Sequence, residues 1–288
     1  MHKTALQTKS KGYSWLDLSQ VYSLAERFNL FTNQAEDVAK LSQIIDYVVS
    51  TVSAEVSGII LGPEIGFEAV LKKAAQTGLI LTLEKQSELL AVNEMPKFYE
   101  HWGIEQIRNN YGAAHFKFYY HPQGDFASEK KQLAGELYDA AKYEGIDLTL
   151  ELAMYPLDKE NNQTDVFEEA QLFAAKEFQP VCDLLVLEYP HSPLACATLT
   201  AELDVPWLLA DRVEDYSYFK DILRIALENG AAGSQVNSVI WSGLSELKLD
   251  QYRQGESEDW KTLEKYVQTE LRDRLIEILR IIDETKIG

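Results

Sequence analysis

Short apolar runs alternate along the chain with longer stretches whose apolar residues recur at helical spacing, the pattern of successive strand-helix units around a parallel sheet. The runs predict strands at Tyr13–Leu18, Ser57–Leu61, Leu79–Leu83, His115–Tyr120, Asp147–Leu152, Leu184–Leu187 and Trp207–Ala210, with a weak eighth near Gly233–Val239. Helices are predicted near Val21–Phe28, Gln34–Val52, Lys97–Asn109, Ser128–Glu144, Val166–Phe178 and Tyr216–Asn229, and a long one closes the chain at about Glu258–Asp283. In the Gln34–Val52 stretch Val38, Leu41, Ile44, Ile45 and Val48 share one face, as do Leu271, Leu275, Ile278 and Leu279 in the last. Gly62-Pro63 ends a strand, and Gly145 and Gly230 stand where helices should stop.

Eight such units in 288 residues are the count and length of a single (β/α)8 barrel, the TIM barrel. No Pro/Gly/Ser-rich linker divides the chain, so one domain over residues 1–288 is expected. A doubly wound open sheet would carry a glycine-rich turn after its first strand, and Leu18-Ser19-Gln20 has none.

Charge narrows the partners. With 46 acidic against 27 basic residues the net charge is −19, which repels nucleic acid and anionic membrane surfaces. Two cysteines, Cys182 and Cys196, give neither a disulfide framework nor a metal site and suit a reducing cytoplasm. The Met1–Gln7 segment has no apolar core of signal-peptide length, and no stretch reaches the ~18 apolar residues of a membrane span. The long last helix could pack a homodimer, although closing the barrel's outer ring explains it equally.

Active sites of (β/α)8 barrels form at the carboxyl ends of the strands, so polar residues there carry the information. Asp17 ends the first predicted strand, Glu64 follows the second, and Glu84 and Lys85 follow the third. Lys117 lies within the fourth and Glu151 within the fifth; Glu188 ends the sixth, Asp211 and Arg212 the seventh, and Asn237 and Ser238 fall in the eighth. Strand alternation puts His115, Lys117 and Tyr119 on one face, and sets Glu151 opposite the apolar face of Leu148, Leu150 and Leu152, hence toward the interior. Lysine and glutamate on adjacent interior strands should then meet and hold each other charged. His115 reads as a core histidine with a hydrogen-bond partner, and Phe116, Phe118, Tyr119 and Tyr120 read as packing.

Several strand endings, in order, resemble those of the class I tagatose-bisphosphate aldolase family: Ile59-Ile60-Leu61-Gly62-Pro63-Glu64-Ile65-Gly66, Leu81-Thr82-Leu83-Glu84-Lys85, Phe116-Lys117-Phe118-Tyr119-Tyr120 and Leu150-Glu151-Leu152-Ala153-Met154-Tyr155. Asp204-Val205-Pro206-Trp207 and Trp241-Ser242-Gly243 extend the resemblance over most of the chain. It implies a (β/α)8 fold and cleavage of a ketohexose bisphosphate through a Schiff base, with no metal or other cofactor. It places Asp17 as the acid that handles the carbinolamine, Lys117 as the assisting lysine and Glu151 as the general acid/base. The place of the Schiff-base lysine falls on Val186, in Asp183-Leu184-Leu185-Val186-Leu187-Glu188, and valine has no amine. The phosphate-binding ends depart as well: small residues of the family fall on Asp211 and Val213, a Gly-Arg pair falls on Asn237-Ser238, and an arginine of its first strand is Ser19.

Schiff-base formation needs a primary amine at the carbonyl, so the covalent route is lost or has moved. The readings that stay open are an aldolase-family barrel that binds a small sugar-derived or carbonyl ligand, its aldolase activity lost or relocated; an aldolase that uses Lys117; a barrel that runs a different, non-covalent acid/base reaction with Asp17, Lys117 and Glu151; and a regulatory or scaffold protein that acts through protein partners. Glu64, Glu84, Lys85, Tyr119, Glu188, Asp211, Arg212, Asn237 and Ser238 are the candidate ligand contacts.

Overall fold

The computed structural model describes residues 6–85, 92–157, 164–244 and 258–287. Its centre is a closed barrel of parallel strands in sequence order: β1 (Tyr13–Asp17), β2 (Gly58–Leu61), β3 (Gly78–Thr82), β4 (Ala113–Tyr120), β5 (Leu148–Met154), β6 (Leu184–Leu187), β7 (Trp207–Ala210) and β8 (Gly233–Val236). β8 pairs with β1 to close the ring, with Tyr13 opposite Gly233. A Cβ on Gly233, whose φ is 158°, would lie 1.9 Å from the Tyr13 carbonyl oxygen, so only glycine lets the seam close.

The helices form the outer ring. They are α1 (Val21–Arg27), α2 (Ala35–Val52), α3 (Ile104–Asn109), α4 (Ala127–Glu144), α5 (Thr164–Phe178), α6 (Pro193–Glu202), α7 (Tyr216–Glu228), α8 (Glu258–Tyr266) and α9 (Arg272–Ile287). A π turn at Val267–Leu271 joins α8 to α9. α2 buries Leu41, Ile44, Ile45, Val48, Val49 and Val52, a continuous apolar stripe against the barrel. Among the described residues, no helix is long and apolar enough to cross a membrane.

Side-chain alternation divides the barrel into two apolar populations. Leu16, Ile59, Leu81, Phe116, Phe118, Leu150, Leu185 and Leu209 join the helices in one core, while Tyr13, Trp15, Ile60, Ile80, Leu184, Val186 and Leu208 fill the barrel itself. The amino-terminal end is plugged: Trp15 donates its indole N–H to the Leu6 carbonyl at 3.0 Å. Each large side chain buried this way contributes about 1.5–3 kcal/mol. Cys182 and Cys196 are buried and unpaired.

Three local expectations are corrected. The helix expected over Lys97–Asn109 is confined to Ile104–Asn109. Glu84 and Phe98 form an antiparallel bridge, and the Lys85 N–H donates to the Lys97 carbonyl at 2.6 Å, so this segment is extended against the end of β3. α6, between β6 and β7, was not expected, although Ser192 accepts from the Ala195 N–H as its N-cap and Pro193 opens its first turn. β8 ends at Val236 rather than Val239 because the Asn237 and Val239 N–H groups turn to the Asp211 carboxylate.

Candidate functional site

Glu151 stands at the centre of the carboxyl end of the barrel. β4 and β5 pair with Lys117 opposite Glu151, and the apolar outward face of β5 turns the glutamate inward, where it is 1% exposed. Its Oε1 takes Lys117 Nζ at 3.1 Å and Arg212 Nη2 at 2.5 Å. Its Oε2 accepts from Gln235 Nε2 at 2.6 Å and lies 3.3 Å from His115 Nε2. The lysine and glutamate meet as strand parity requires; His115 is buried with Nε2 near Glu151, but among the described residues neither ring nitrogen makes a hydrogen bond, so the expected hydrogen-bond partner is not found. Burial opposes the charge, but Lys117, Arg212 and His115 overcome it and hold the Glu151 carboxyl well below the usual carboxylate range. A carboxylate so stabilised is a weak proton acceptor near neutrality.

The first strand joins this centre through Gln235, whose Nε2 also lies 3.3 Å from Asp17 Oδ2. Asp17 accepts from the Ser19 N–H and hydroxyl at 2.8 and 2.6 Å and from Gln20 Nε2 at 2.9 Å, while Asn237 Nδ2 donates to the Asp17 carbonyl at 2.8 Å. Beside them a small cleft is lined by Asp17, Gln20, Ser23, Arg27, Asn237 and Ser238, among others. Asp211 turns away from it, with Oδ2 accepting from the Asn237 and Val239 N–H groups at 2.7 and 2.9 Å.

Two other acids frame the cluster. Glu84 is fully buried, its Oε2 accepting from the Lys117 N–H at 3.1 Å, and burial pushes its carboxyl up to about 7 against the pull of His115 and Lys117. Glu188 lies 3.5 Å from Arg212 Nε; burial raises its carboxyl despite Arg212, and nearby Glu151 raises it further. Burial also lifts Asp211 to about 7, although both N–H groups and Arg212 favour the anion. Burial weighs against the charge of His115 too, yet Glu151, Glu84 and Asp17 raise its value. Burial thus brings Glu84 and Asp211 toward neutrality, the range useful for proton transfer.

Asp17, Glu84, Lys117, Glu151, Glu188, Asp211, Arg212 and Asn237 come together, and Tyr119 interacts electrostatically with Arg212. Ser238 lines the adjoining cleft. Glu64 is exposed in the turn after β2, and no hydrogen bond or ion pair among the described residues ties it to the cluster. Lys85 is exposed and lays its ammonium over the Tyr99 ring, 5.4 Å from the centroid. Gln235, which bridges Asp17 and Glu151, was missed; the available signal was its place two residues before Asn237, on the same strand face. Among the described residues, no three His, Cys, Asp or Glu side chains are grouped so as to hold a metal ion.

No protein-family model matches the chain. It is 22% identical over 281 residues to tagatose 1,6-diphosphate aldolase 2 of Streptococcus pyogenes, covering 86% of this chain and 84% of that one. The chain is similar, at low identity, to the tagatose-bisphosphate aldolases. An archaeal fructose 1,6-bisphosphate aldolase superposes with a TM-score of 0.65 at 13% identity, over 97% of this chain and 96% of the other. A structure of an archaeal fructose-1,6-bisphosphate aldolase with its catalytic lysine covalently bound to the carbinolamine intermediate superposes with a TM-score of 0.65 at 15% identity, over 96% of each chain. A fructose-bisphosphate aldolase of Slackia heliotrinireducens gives 0.60 at 14% identity, over 82% and 77%. At these identities the superpositions establish the barrel. The tagatose-bisphosphate aldolase resemblance assigns the Schiff-base position to Val186, and here that side chain is fully buried in the barrel interior on β6, register partner of Glu151.

Proposed function

We propose that this aldolase-family barrel binds a small sugar-derived or carbonyl ligand at its carboxyl-end mouth and has lost the Schiff-base route. The observation that carries the reading is the Glu151 cluster, in which Lys117, Arg212, His115 and Gln235 converge on one buried carboxylate. Such a group of charges is expensive to bury, and a hydrophobic interior of the same volume would serve stability at least as well. Perturbed titratable groups gathered at a barrel mouth mark a site. Thr82 Oγ1 and Gln235 Oε1, both buried there without a hydrogen-bond partner among the described residues, add to the polar lining.

In this reading Asp17, Lys117 and Glu151 are the residues nearest the chemistry, and Glu188, Arg212, Tyr119, Asn237 and Ser238 are ligand contacts. Loss of the covalent route is supported by the apolar, buried setting of Val186. Lys117 is a poor replacement nucleophile because its Nζ is engaged by Glu151 and its side chain is 10% exposed. The two unpaired cysteines suit a reducing compartment, in keeping with a cytoplasmic setting.

Borohydride reduction of the protein with dihydroxyacetone, dihydroxyacetone phosphate and keto sugars, followed by intact-mass and peptide mapping, tests the reading. No covalent adduct is expected, while a saturable rise in Tm with a carbonyl compound is. An adduct on Lys117 would replace this reading with that of an active aldolase. No Tm response to any compound of the panel would turn the search to protein partners.

A further inference from the structure

Barrels of this architecture that bind phosphorylated ligands commonly hold the phosphate in the loops after strands seven and eight. Here backbone N–H groups of that region converge on a side chain of the protein. One oxygen of the buried Asp211 carboxylate takes the Asn237 and Val239 N–H groups at 2.7 and 2.9 Å, and the Asp211 N–H donates to the Gln235 carbonyl at 3.2 Å, fixing the aspartate to β8. Two backbone donors on one anionic oxygen are what a phosphate oxygen would receive in the same place.

The remaining charges point the same way. The carboxyls of Asp17, Glu84, Glu151, Glu188 and Asp211 outnumber the basic groups Lys117, Arg212 and His115. Neither Lys117 nor Arg212 is idle, since Lys117 is paired with Glu151, and Arg212 with Glu151 and Glu188. The adjoining cleft offers Asp17, Gln20, Asn237 and Ser238, groups that suit hydroxyls; its cation, Arg27, leans on the Trp241 carbonyl at 3.4 Å. A phosphate entering the mouth would have to displace Asp211 and then lie among carboxylates.

We propose that Asp211 is a specificity-determining residue that occupies the Asn237 and Val239 N–H groups in place of a ligand phosphate, so that the mouth takes an unphosphorylated, neutral polyhydroxy carbonyl compound. The assignment of ligand class rests on the small-ligand reading above; the exclusion of phosphate by Asp211 does not.

The test is thermal melting at pH 8, where Asp211 is ionised, in inorganic phosphate up to about 10 mM against chloride of equal ionic strength. The wild type is expected to show no phosphate-dependent change, and Asp211→Ser, which frees both N–H groups, a saturable rise of roughly 2–4 °C. Phosphate stabilising the wild type, or failing to stabilise a folded Asp211→Ser variant, overturns the proposal. Should that variant prove unfolded, Asp211→Asn carries the test. Its amide oxygen still fills the two N–H groups, so no phosphate response is expected, and a response would show that charge rather than occupancy had kept the anion out. Parallel titrations with D-tagatose, which has no phosphate, address the small-ligand reading separately.

Discussion

Gln235 ties the last strand of the barrel to the fifth: its Nε2 donates to Glu151 Oε2 at 2.6 Å, and both side chains are buried. The bond also closes the charge cluster on the side of Asp17. Replacing Gln235 by leucine keeps the approximate volume but leaves one lone pair of a buried carboxylate unsatisfied. A loss of about 1–3 kcal/mol is expected in urea unfolding. A loss below about 0.5 kcal/mol would show that the bond contributes little to the native state.

Glu151 is the shared partner of Lys117 and Arg212, so removing its charge leaves two cations in a half-closed mouth. Glu151→Gln is expected to cost about 3–5 kcal/mol. Because its folded pKa is depressed, the stability it contributes is present above the ordinary glutamate range and is lost as pH falls through the depressed value. The gap between wild type and variant should therefore be widest at neutral pH and narrow on acidification. Parallel stability curves from pH 7 down to the acid transition would refute the assignment.

Glu84 gives the opposite pH dependence. Burial raises its carboxyl from the ordinary 4.5 to about 7, so the native state keeps a proton that the unfolded chain releases. Wild-type stability should then fall as pH rises between these values, by about 3 kcal/mol from this residue, and level off above them. Glu84→Gln keeps an uncharged side chain of the same shape and removes this decline. Measured against wild type, the variant should gain relative stability from pH 5 to 8; a constant difference would show that Glu84 does not titrate there.

The barrel was legible because its strands are short apolar runs bounded by turns, and because Leu148, Leu150 and Leu152 leave Glu151 one direction to face. Strand parity likewise brought Lys117 and His115 to it. What escaped was decided by contacts distant in sequence. Phe98 is extended because Glu84 pairs with it, though the local sequence reads as helix. Asp211 and Arg212 are neighbours that part company, one turning to backbone N–H groups and the other to Glu151, and nothing local separates them. Gln235 was hidden in a short strand that opens with glycine and has a single aliphatic residue, Val236. α6 is different, since its Ser192-Pro193 start was in plain view.

Val186 offers a direct test of the proposed loss of the covalent route. Its side chain lies in the barrel interior on the strand next to Glu151, within the apolar cluster that includes Ile60, Ile80, Leu184 and Leu208. Val186→Lys would introduce an amine at the register position of Glu151, where burial favours the neutral, nucleophilic form and the Glu151 carboxylate opposes it. It would also place a long polar side chain in a filled layer, and a loss of several kcal/mol is expected. If the variant remains folded, borohydride should trap dihydroxyacetone on the introduced lysine, while the wild type remains unmodified. A folded variant that traps nothing would show that more than the amine is missing, and would move the explanation from Val186 to the surrounding mouth.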